Sequence, residues 1–206
     1  MRLLVGLGNP GKQYAFNRHN IGFLAVDALA AHFRFAPWRT RFQGATAEGE
    51  IAGEKIIALK PGTYMNLSGQ AVGEAARFFK LTPSDVTVIY DDIELVPGKV
   101  KVKMAGGAAG PNGIRSIDEH IGQEYWRVRL GVGRPNAKDQ VKGHVLENFA
   151  KSDMDWLGEL LNAICVAAPL LIKGDENKFM TKIALAMNPP PPKPARKDQE
   201  APTENE

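Results

Sequence analysis

The first twenty residues, MRLLVGLGNPGKQYAFNRHN (1–20), decide how the N-terminal part of the chain is organised. Leu3–Leu7 is a short apolar run, which is typical of a buried strand. Gly6 lies within this run, and Gly8 and Gly11 follow it, so that the three glycines have G-x-G-x-x-G spacing. The stretch predicts a strand that ends in a tight, rigid turn displaying Asn9, followed by a loop.

The same glycine spacing occurs in dinucleotide-binding sites, but its surroundings here differ from such a site. A dinucleotide site needs the third glycine to open a helix, and an acid about 20 residues later at the end of a second strand. The residues after the third glycine are polar and aromatic, and the nearest later acid, Asp27, falls in a predicted helix. The context favours a loop that presents Tyr14, His19 and Asn20. A nicotinamide or flavin enzyme is the alternative, and it predicts tight dinucleotide binding.

Strand and helix patterns alternate along the rest of the chain. Strands are predicted for Phe42–Ile51, Lys55–Lys60, Asp85–Tyr90, Gly98–Met104 and Trp126–Val132. Helices are predicted for Ile21–Phe35 with Asn20 as N-cap, for a segment from the capping residue Ser68 to Leu81, and for Ile114–Ile121, Ser152–Lys173 and Glu176–Leu185. Pro169 should kink or shorten the longest helix. Because a hairpin around Gly53 interrupts the alternation, we expect a single α/β domain with a mixed, mostly parallel twisted sheet flanked by helices.

The C-terminal residues differ in composition from the rest of the chain. Residues 189–206 read PPPPKPARKDQEAPTENE and hold six of the fourteen prolines of the 206-residue chain. Such a segment cannot bury enough apolar surface to fold, so we expect a disordered tail after a domain at residues 1–188. The net charge of the whole chain is +3. The tail contributes −1 of this, so charge alone does not indicate nucleic-acid binding.

Three further features bear on location. The one cysteine, Cys165, cannot form an internal disulfide and is expected to be a small buried hydrophobe. We expect no signal peptide, because the chain leads directly into the first predicted strand. The longest apolar stretch, Ile164–Ile172, is too short to span a bilayer. We therefore expect a cytoplasmic protein without a membrane partner.

A histidine and a strand-end aspartate form the minimum pair for general-base catalysis. His19 lies in the N-terminal loop, and Asp91-Asp92 follows the apolar strand VTVIY. The carboxylate can fix the imidazole tautomer, and asparagine amides can stabilise an oxyanion at neutral charge. Since no serine lies in a G-x-S-x-G elbow, the sequence favours attack by activated water. The other interpretations stay open: His19 could merely pack, and the aspartates could cap a turn before Pro97-Gly98.

Basic side chains alternate in two predicted strands. Lys99, Lys101 and Lys103 share one strand face, as do Arg127 and Arg129 on another strand. If the strands are neighbours, these side chains form a cationic patch suited to phosphates. A solvated strand face is the alternative.

Taken together, these stretches closely resemble the bacterial peptidyl-tRNA hydrolase family over roughly residues 1–188. Five motifs carry the resemblance, in the family's order and spacing. They are VGLGNPG with Tyr14 and the run Arg18-His19-Asn20, KPGTYMNLSG (60–69), YDDIELVPG (90–98), PNGIRSI (111–117) and WRVRLGVGRP (126–135).

The resemblance implies an enzyme that cleaves the ester between a peptide and the 3′-terminal ribose of tRNA. It implies no cofactor, no metal and no obligate protein partner, so a monomer is expected. The catalytic group would be His19 as general base, Asp91 as its orienting partner, and Asn9, which separates peptidyl from free aminoacyl substrates. Tyr14, Tyr64, Asn66 and Asn112 would contact the substrate's 3′ end and peptide, and Lys103 and Arg129 would hold the tRNA 5′ phosphate.

One departure from the family pattern concerns the segment before Asn112. The family commonly has G-G-H-N-G where this chain has Ala109-Gly110-Pro111-Asn112-Gly113, so Pro111 removes an imidazole and a backbone donor. A non-catalytic RNA-binding module on the same scaffold is the second hypothesis. It predicts salt-dependent tRNA binding without ester cleavage.

Overall fold

The computed structural model describes residues 1–106, 112–135 and 141–188. The strands are β1 (Arg2–Gly6), β2 (Arg39–Arg41), β3 (Gly44–Ile51), β4 (Glu54–Pro61), β5 (Val86–Asp92), β6 (Val100–Met104) and β7 (Trp126–Gly131). The helices are α1 (Ile21–His32), α2 (Ser68–Phe79), α3 (Asn112–Ile121), α4 (Val141–Leu146), α5 (Met154–Ile172) and α6 (Glu176–Met187). Pro111 and the predicted tail at 189–206 lie outside the described residues, so the predictions made for them stay predictions.

The strands form one mixed sheet in the order β2-β3-β4-β1-β5-β7-β6. The four central strands, β4, β1, β5 and β7, are parallel, and the outer pairings are antiparallel. This confirms the predicted α/β fold with a mixed sheet. The central strands β1 and β5 end at the same edge of the sheet, which is where parallel α/β folds collect functional residues.

The two sheet faces carry separate hydrophobic cores. Helices α1, α5 and α6 cover one face, and α2 and α3 cover the other. Ile89 belongs to the first core and Tyr90 to the second, because successive strand residues point to opposite faces. The segment Lys151–Ile172 is long and apolar enough to cross a membrane, but α5 within it contributes many residues to the first core.

The glycine motif packs β1 against α1. A Cβ at Gly6 would lie 2.3 Å from the carbonyl oxygen of Gly22, and one at Gly22 would lie 2.3 Å from that of Ile89. Neither position can hold a side chain without moving the backbone. Gly11 precedes only the three-residue 3-10 turn Lys12–Tyr14, and α1 begins at Ile21, so no α-helix starts at the third glycine. The geometry of a dinucleotide site is therefore not present at this turn.

Several predicted boundaries shift for local reasons. The hairpin is confirmed, since Ala52 and Gly53 have φ of 55° and 84°, as a two-residue type I′ turn requires. The strand predicted from Phe42 begins at Gly44, because Phe42 and Gln43 form a left-handed turn with φ of 53° and 51°. This turn follows the short strand β2, which was not predicted from the sequence. The predicted cap at Ser68 is wrong: its hydroxyl donates to the Met65 carbonyl at 2.9 Å.

The C-terminal helices differ from expectation in two ways. Helix α5 runs through Pro169 and ends at Ile172, so the proline does not terminate it. Helix α4 was not predicted, since a six-residue helix is too short to show a hydrophobic period and depends on tertiary contacts.

Candidate active site

The centre of the site is a contact between the two residues predicted as base and orienting acid. His19 lies in a 3-10 turn just before α1, and Asp91 is the penultimate residue of β5. The His19 Nδ1 atom is 2.8 Å from Asp91 Oδ1, and the two side chains are 14% and 4% exposed. With Nδ1–H donating to the carboxylate, Nε2 keeps its lone pair and can accept a proton.

Asn20 holds the turn that displays Asn9. The Asn9 backbone N–H donates to Asn20 Oδ1 at 2.9 Å, and Asn20 Nδ2 donates to the Asn9 carbonyl oxygen at 2.9 Å. Asn20 occupies the predicted N-cap position of α1, but its side chain makes no capping bond to the helix. Its amide is instead engaged by the backbone of the turn, which fixes Asn9 next to the histidine segment.

The Asn9 side chain joins this turn to the segment before α2. Asn9 Oδ1 accepts a hydrogen bond from the Met65 backbone N–H at 3.0 Å. This orientation leaves Asn9 Nδ2 as a donor for a ligand. Met65 itself is buried, whereas Tyr64 is 61% exposed and Asn66 is also exposed.

Helix α3 brings Asn112 to the same place. Gly113 packs so closely on Met65 that a Cβ there would lie 2.6 Å from the Met65 sulfur, and the preceding Asn112 is exposed. Tyr14 is half-buried, and its carbonyl oxygen accepts from the Asn17 N–H at 2.9 Å. Through these contacts the segments that carry the predicted amides adjoin one another, and Asn20 links them to the segment of His19.

Arg18 was quoted within a motif, but sequence reasoning gave it no role. Its guanidinium contacts Asp153 at 3.2 Å and donates to the Asn148 carbonyl oxygen at 3.2 Å. It also lies 5.7 Å from the centre of the Phe149 ring. The Arg18 backbone N–H donates to the Glu147 carbonyl oxygen at 3.0 Å. These contacts tie the residue before His19 to a segment far along the chain, and no local pattern indicates them.

The surroundings of Asp153 favour the charged form of its carboxyl, which pairs with Arg18. Burial raises the pKa of its carboxyl, but donors from the Ala150 backbone, the Trp156 indole and Arg18 outweigh burial and lower the pKa overall. A cleft of about 590 Å³ opens beside this cluster, with Arg18, His144 and Trp156 in its wall. This cleft borders the Arg18–Asp153 pair, and the predicted amides Asn9, Asn66 and Asn112 are not in its wall.

The predicted cationic patch is present, but fewer of its side chains are accessible than expected. Strands β6 and β7 are neighbours, with Lys101 opposite Arg129 and Lys103 opposite Arg127. The three predicted lysines are exposed. The expectation for Arg127 is wrong, because its side chain is 5% exposed and pairs with Asp118 at 2.8 Å. Arg129 is 32% exposed and pairs with Asp92.

Metal ligands are not grouped in the part of the chain that the structure describes. In residues 1–106, 112–135 and 141–188, no cluster of three or more histidine, cysteine or acidic side chains could hold an ion. The expectation of a metal-independent reaction stays a prediction.

A paired histidine and aspartate beside neutral amides, at the carboxyl edge of an α/β sheet, fits a hydrolytic enzyme. Comparison with known proteins gives the family. The family model for peptidyl-tRNA hydrolase matches residues 3–191. The chain belongs to the peptidyl-tRNA hydrolase family.

Individual relatives agree over almost the whole chain. The peptidyl-tRNA hydrolase of Parvibaculum lavamentivorans is 58% identical over 96% of this chain and 98% of its own. That of Rhodospirillum centenum is 55% identical over 92% and 84%. The crystal structure of peptidyl-tRNA hydrolase from Acinetobacter baumannii superposes with a TM-score of 0.83 at 35% identity, covering 89% of this chain and 94% of that one. The predicted class, a hydrolase of the peptidyl-tRNA ester, is confirmed, and the non-catalytic alternative finds no support in these comparisons.

Proposed function

We propose that the chain hydrolyses the ester between a peptide and the 3′-terminal ribose of tRNA with His19 as general base and Asp91 as its positioning partner. The observation that carries this proposal is the 2.8 Å contact between His19 Nδ1 and Asp91 Oδ1. It directs Nε2 away from the acid. Both side chains are largely shielded from water, which strengthens their interaction.

The reaction needs one water molecule and no covalent enzyme intermediate. His19 Nε2 takes a proton from water, and the water oxygen bonds to the ester carbonyl carbon. When the bond from that carbon to the ribose O3′ breaks, the imidazolium returns the proton to O3′. The products are tRNA with a 3′ hydroxyl and the free peptide acid, which keeps the second proton of the water and then loses it to solvent to become a carboxylate. Asp91 stabilises the imidazolium while it holds the proton.

Neutral amides bind the peptide side of the substrate. Asn9 Nδ2 is the donor left over after Asn9 Oδ1 accepts from Met65. Asn66 and Asn112 flank the same buried methionine. Amides can donate to peptide carbonyls and to a developing oxyanion without bringing charge into the site. In this proposal Asn9 favours an acylated amino group over a free ammonium, because its amide NH₂ can donate to an amide carbonyl but not to a cation.

Aromatic and cationic side chains bind the RNA. Tyr14 and the exposed Tyr64 contact the 3′ end, where unpaired bases can stack on aromatic rings. Lys103 and Arg129 hold the 5′ phosphate from the same face of β6 and β7. We also propose that the protein acts in the cytoplasm as a monomer, without cofactor, membrane or obligate protein partner.

Deacylation of N-acetyl-aminoacyl-tRNA and of free aminoacyl-tRNA, with and without EDTA, tests the proposal. The wild type should cleave the blocked substrate faster, and EDTA should have no effect. The His19→Ala variant should lose about 10²–10⁴-fold in kcat while still binding tRNA and melting near the wild-type Tm. His32→Ala, at the exposed end of α1, is the matched control. Near-normal turnover by His19→Ala would contradict the mechanism.

A further inference from the structure

Two arginines on strand β7 share a sheet face but have different surroundings. The Arg127 side chain is 5% exposed, pairs with Asp118, and lies 4.6 Å from the centre of the Tyr125 ring. Arg129, two residues later, is 32% exposed. Of these two arginines, only Arg129 therefore combines an accessible guanidinium with an ion pair to an acid.

That acid is Asp92, the last residue of β5, and it is itself fixed. Its Oδ2 pairs with Arg129 Nη2, and its side chain is 7% exposed. Its Oδ1 accepts the Glu94 backbone N–H at 2.8 Å, and its backbone carbonyl accepts from the Val132 N–H at 3.1 Å. The carboxylate cannot turn away from Arg129 without breaking its bond to the Glu94 N–H, and the backbone bond to Val132 fixes the strand end that carries it.

We infer that Asp92 is a positioning residue for phosphate recognition: it orders the Arg129 side chain before the tRNA binds. The inference rests on the proposed contact between Arg129 and the 5′ phosphate. An arginine has five N–H donors in a planar fork, so an acid on Nη2 leaves the remaining donors for a phosphate.

The energetic reason is conformational entropy. Immobilising a long side chain on binding has an entropic cost that weakens affinity about three- to tenfold. Asp92 immobilises the Arg129 side chain when the protein folds, so this entropy is not lost again when the tRNA binds. Since Asp91 and Asp92 are consecutive, the same strand end also fixes the spacing between the histidine that performs the chemistry at the 3′ end and the cation that holds the 5′ phosphate at the same end of the acceptor stem.

The test measures KM and kcat for N-acetyl-aminoacyl-tRNA carrying either a 5′ monophosphate or a 5′ hydroxyl. The key variant is Asp92→Glu, which keeps the charge but displaces the carboxylate. Asp92→Asn keeps the shape and removes the charge, and it serves if the longer side chain prevents folding. The controls are Glu94→Gln, which removes a surface charge two residues away, and Asp118→Asn, which weakens the buried pair of Arg127. Melting curves check that every variant folds.

The wild type should have the lower KM for the phosphorylated tRNA. Both Asp92 variants should reduce this preference about three- to tenfold, the size of ordering one side chain, with kcat unchanged, and the controls should keep it. Full preference in both Asp92 variants would overturn the inference alone. A preference above wild type in Asp92→Asn would also overturn it, since the carboxylate would then compete with the phosphate. No preference in the wild type would remove the proposed phosphate contact and the inference with it.

Discussion

The last two residues of β5 serve opposite faces of the sheet with the same chemical group. Asp91 meets His19 on the face covered by α1, and Asp92 meets Arg129 on the face covered by α2 and α3. The first pair is mostly buried, with side chains 14% and 4% exposed. In the second pair the cation is 32% exposed.

The difference in exposure matches what each pair is proposed to do. Proton transfer benefits from a site with little water, where a carboxylate and an imidazolium interact strongly. Holding a phosphate on a large polyanion requires a cation that the RNA can reach from solvent. Because side chains alternate along a strand, two consecutive aspartates supply both environments at one strand end.

Among the substitutions that test this comparison, Asp91→Asn should have the largest effect on activity. The amide cannot stabilise an imidazolium by charge, so kcat should fall about 10²-fold, within the range of a positioned base. The loss should be the same on tRNA with or without the 5′ phosphate, measured by single-turnover deacylation. A change confined to KM would mean that Asp91 contributes to tRNA binding rather than to the chemical step.

Lys103→Gln should have a smaller effect and only on binding. Loss of one phosphate contact should raise the KM for tRNA several-fold and reduce the slope of log K against log salt by about 1, with kcat unchanged. Lys173→Gln, an exposed lysine beyond the end of α5, is the charge-matched control. A salt slope equal to that of wild type would exclude Lys103 from the interface.

Asp153→Asn should have the smallest effect, and it should depend on pH. The pKa of this carboxyl is lowered below its ordinary value of 3.8 in the folded state, so its stabilisation is present above that pH and is lost as the pH falls through the folded value. We expect the variant to be about 1 kcal/mol less stable at pH 7, by urea unfolding, and this difference to shrink as the pH is lowered below 3.8. A difference that stays constant as the pH falls would show that the Arg18–Asp153 pair is not its source.

Much of the sheet could be predicted from local pattern, and the pairing of His19 with Asp91 from the family resemblance, but the other partners in the site could not. The hairpin followed from Gly53, and the exposed lysines followed from their alternation in β6. Arg127 and Arg129 share a face equally in the sequence, yet only one is buried against Asp118. The difference arises because α3 covers one of them, and a strand pattern contains no information about that helix.

The sequence alone determined the residue types, the strand faces and the family resemblance, because periodicity and motif spacing are local properties of the chain. The tertiary structure decided that Asp91 contacts His19, that Asp92 holds Arg129, that Asn20 clamps Asn9, and that Arg18 ties the histidine segment to Asp153. Several of these contacts join residues far apart in the chain. Their formation depends on which strands pair and which helices cover each face, and these follow from the packing of the whole domain.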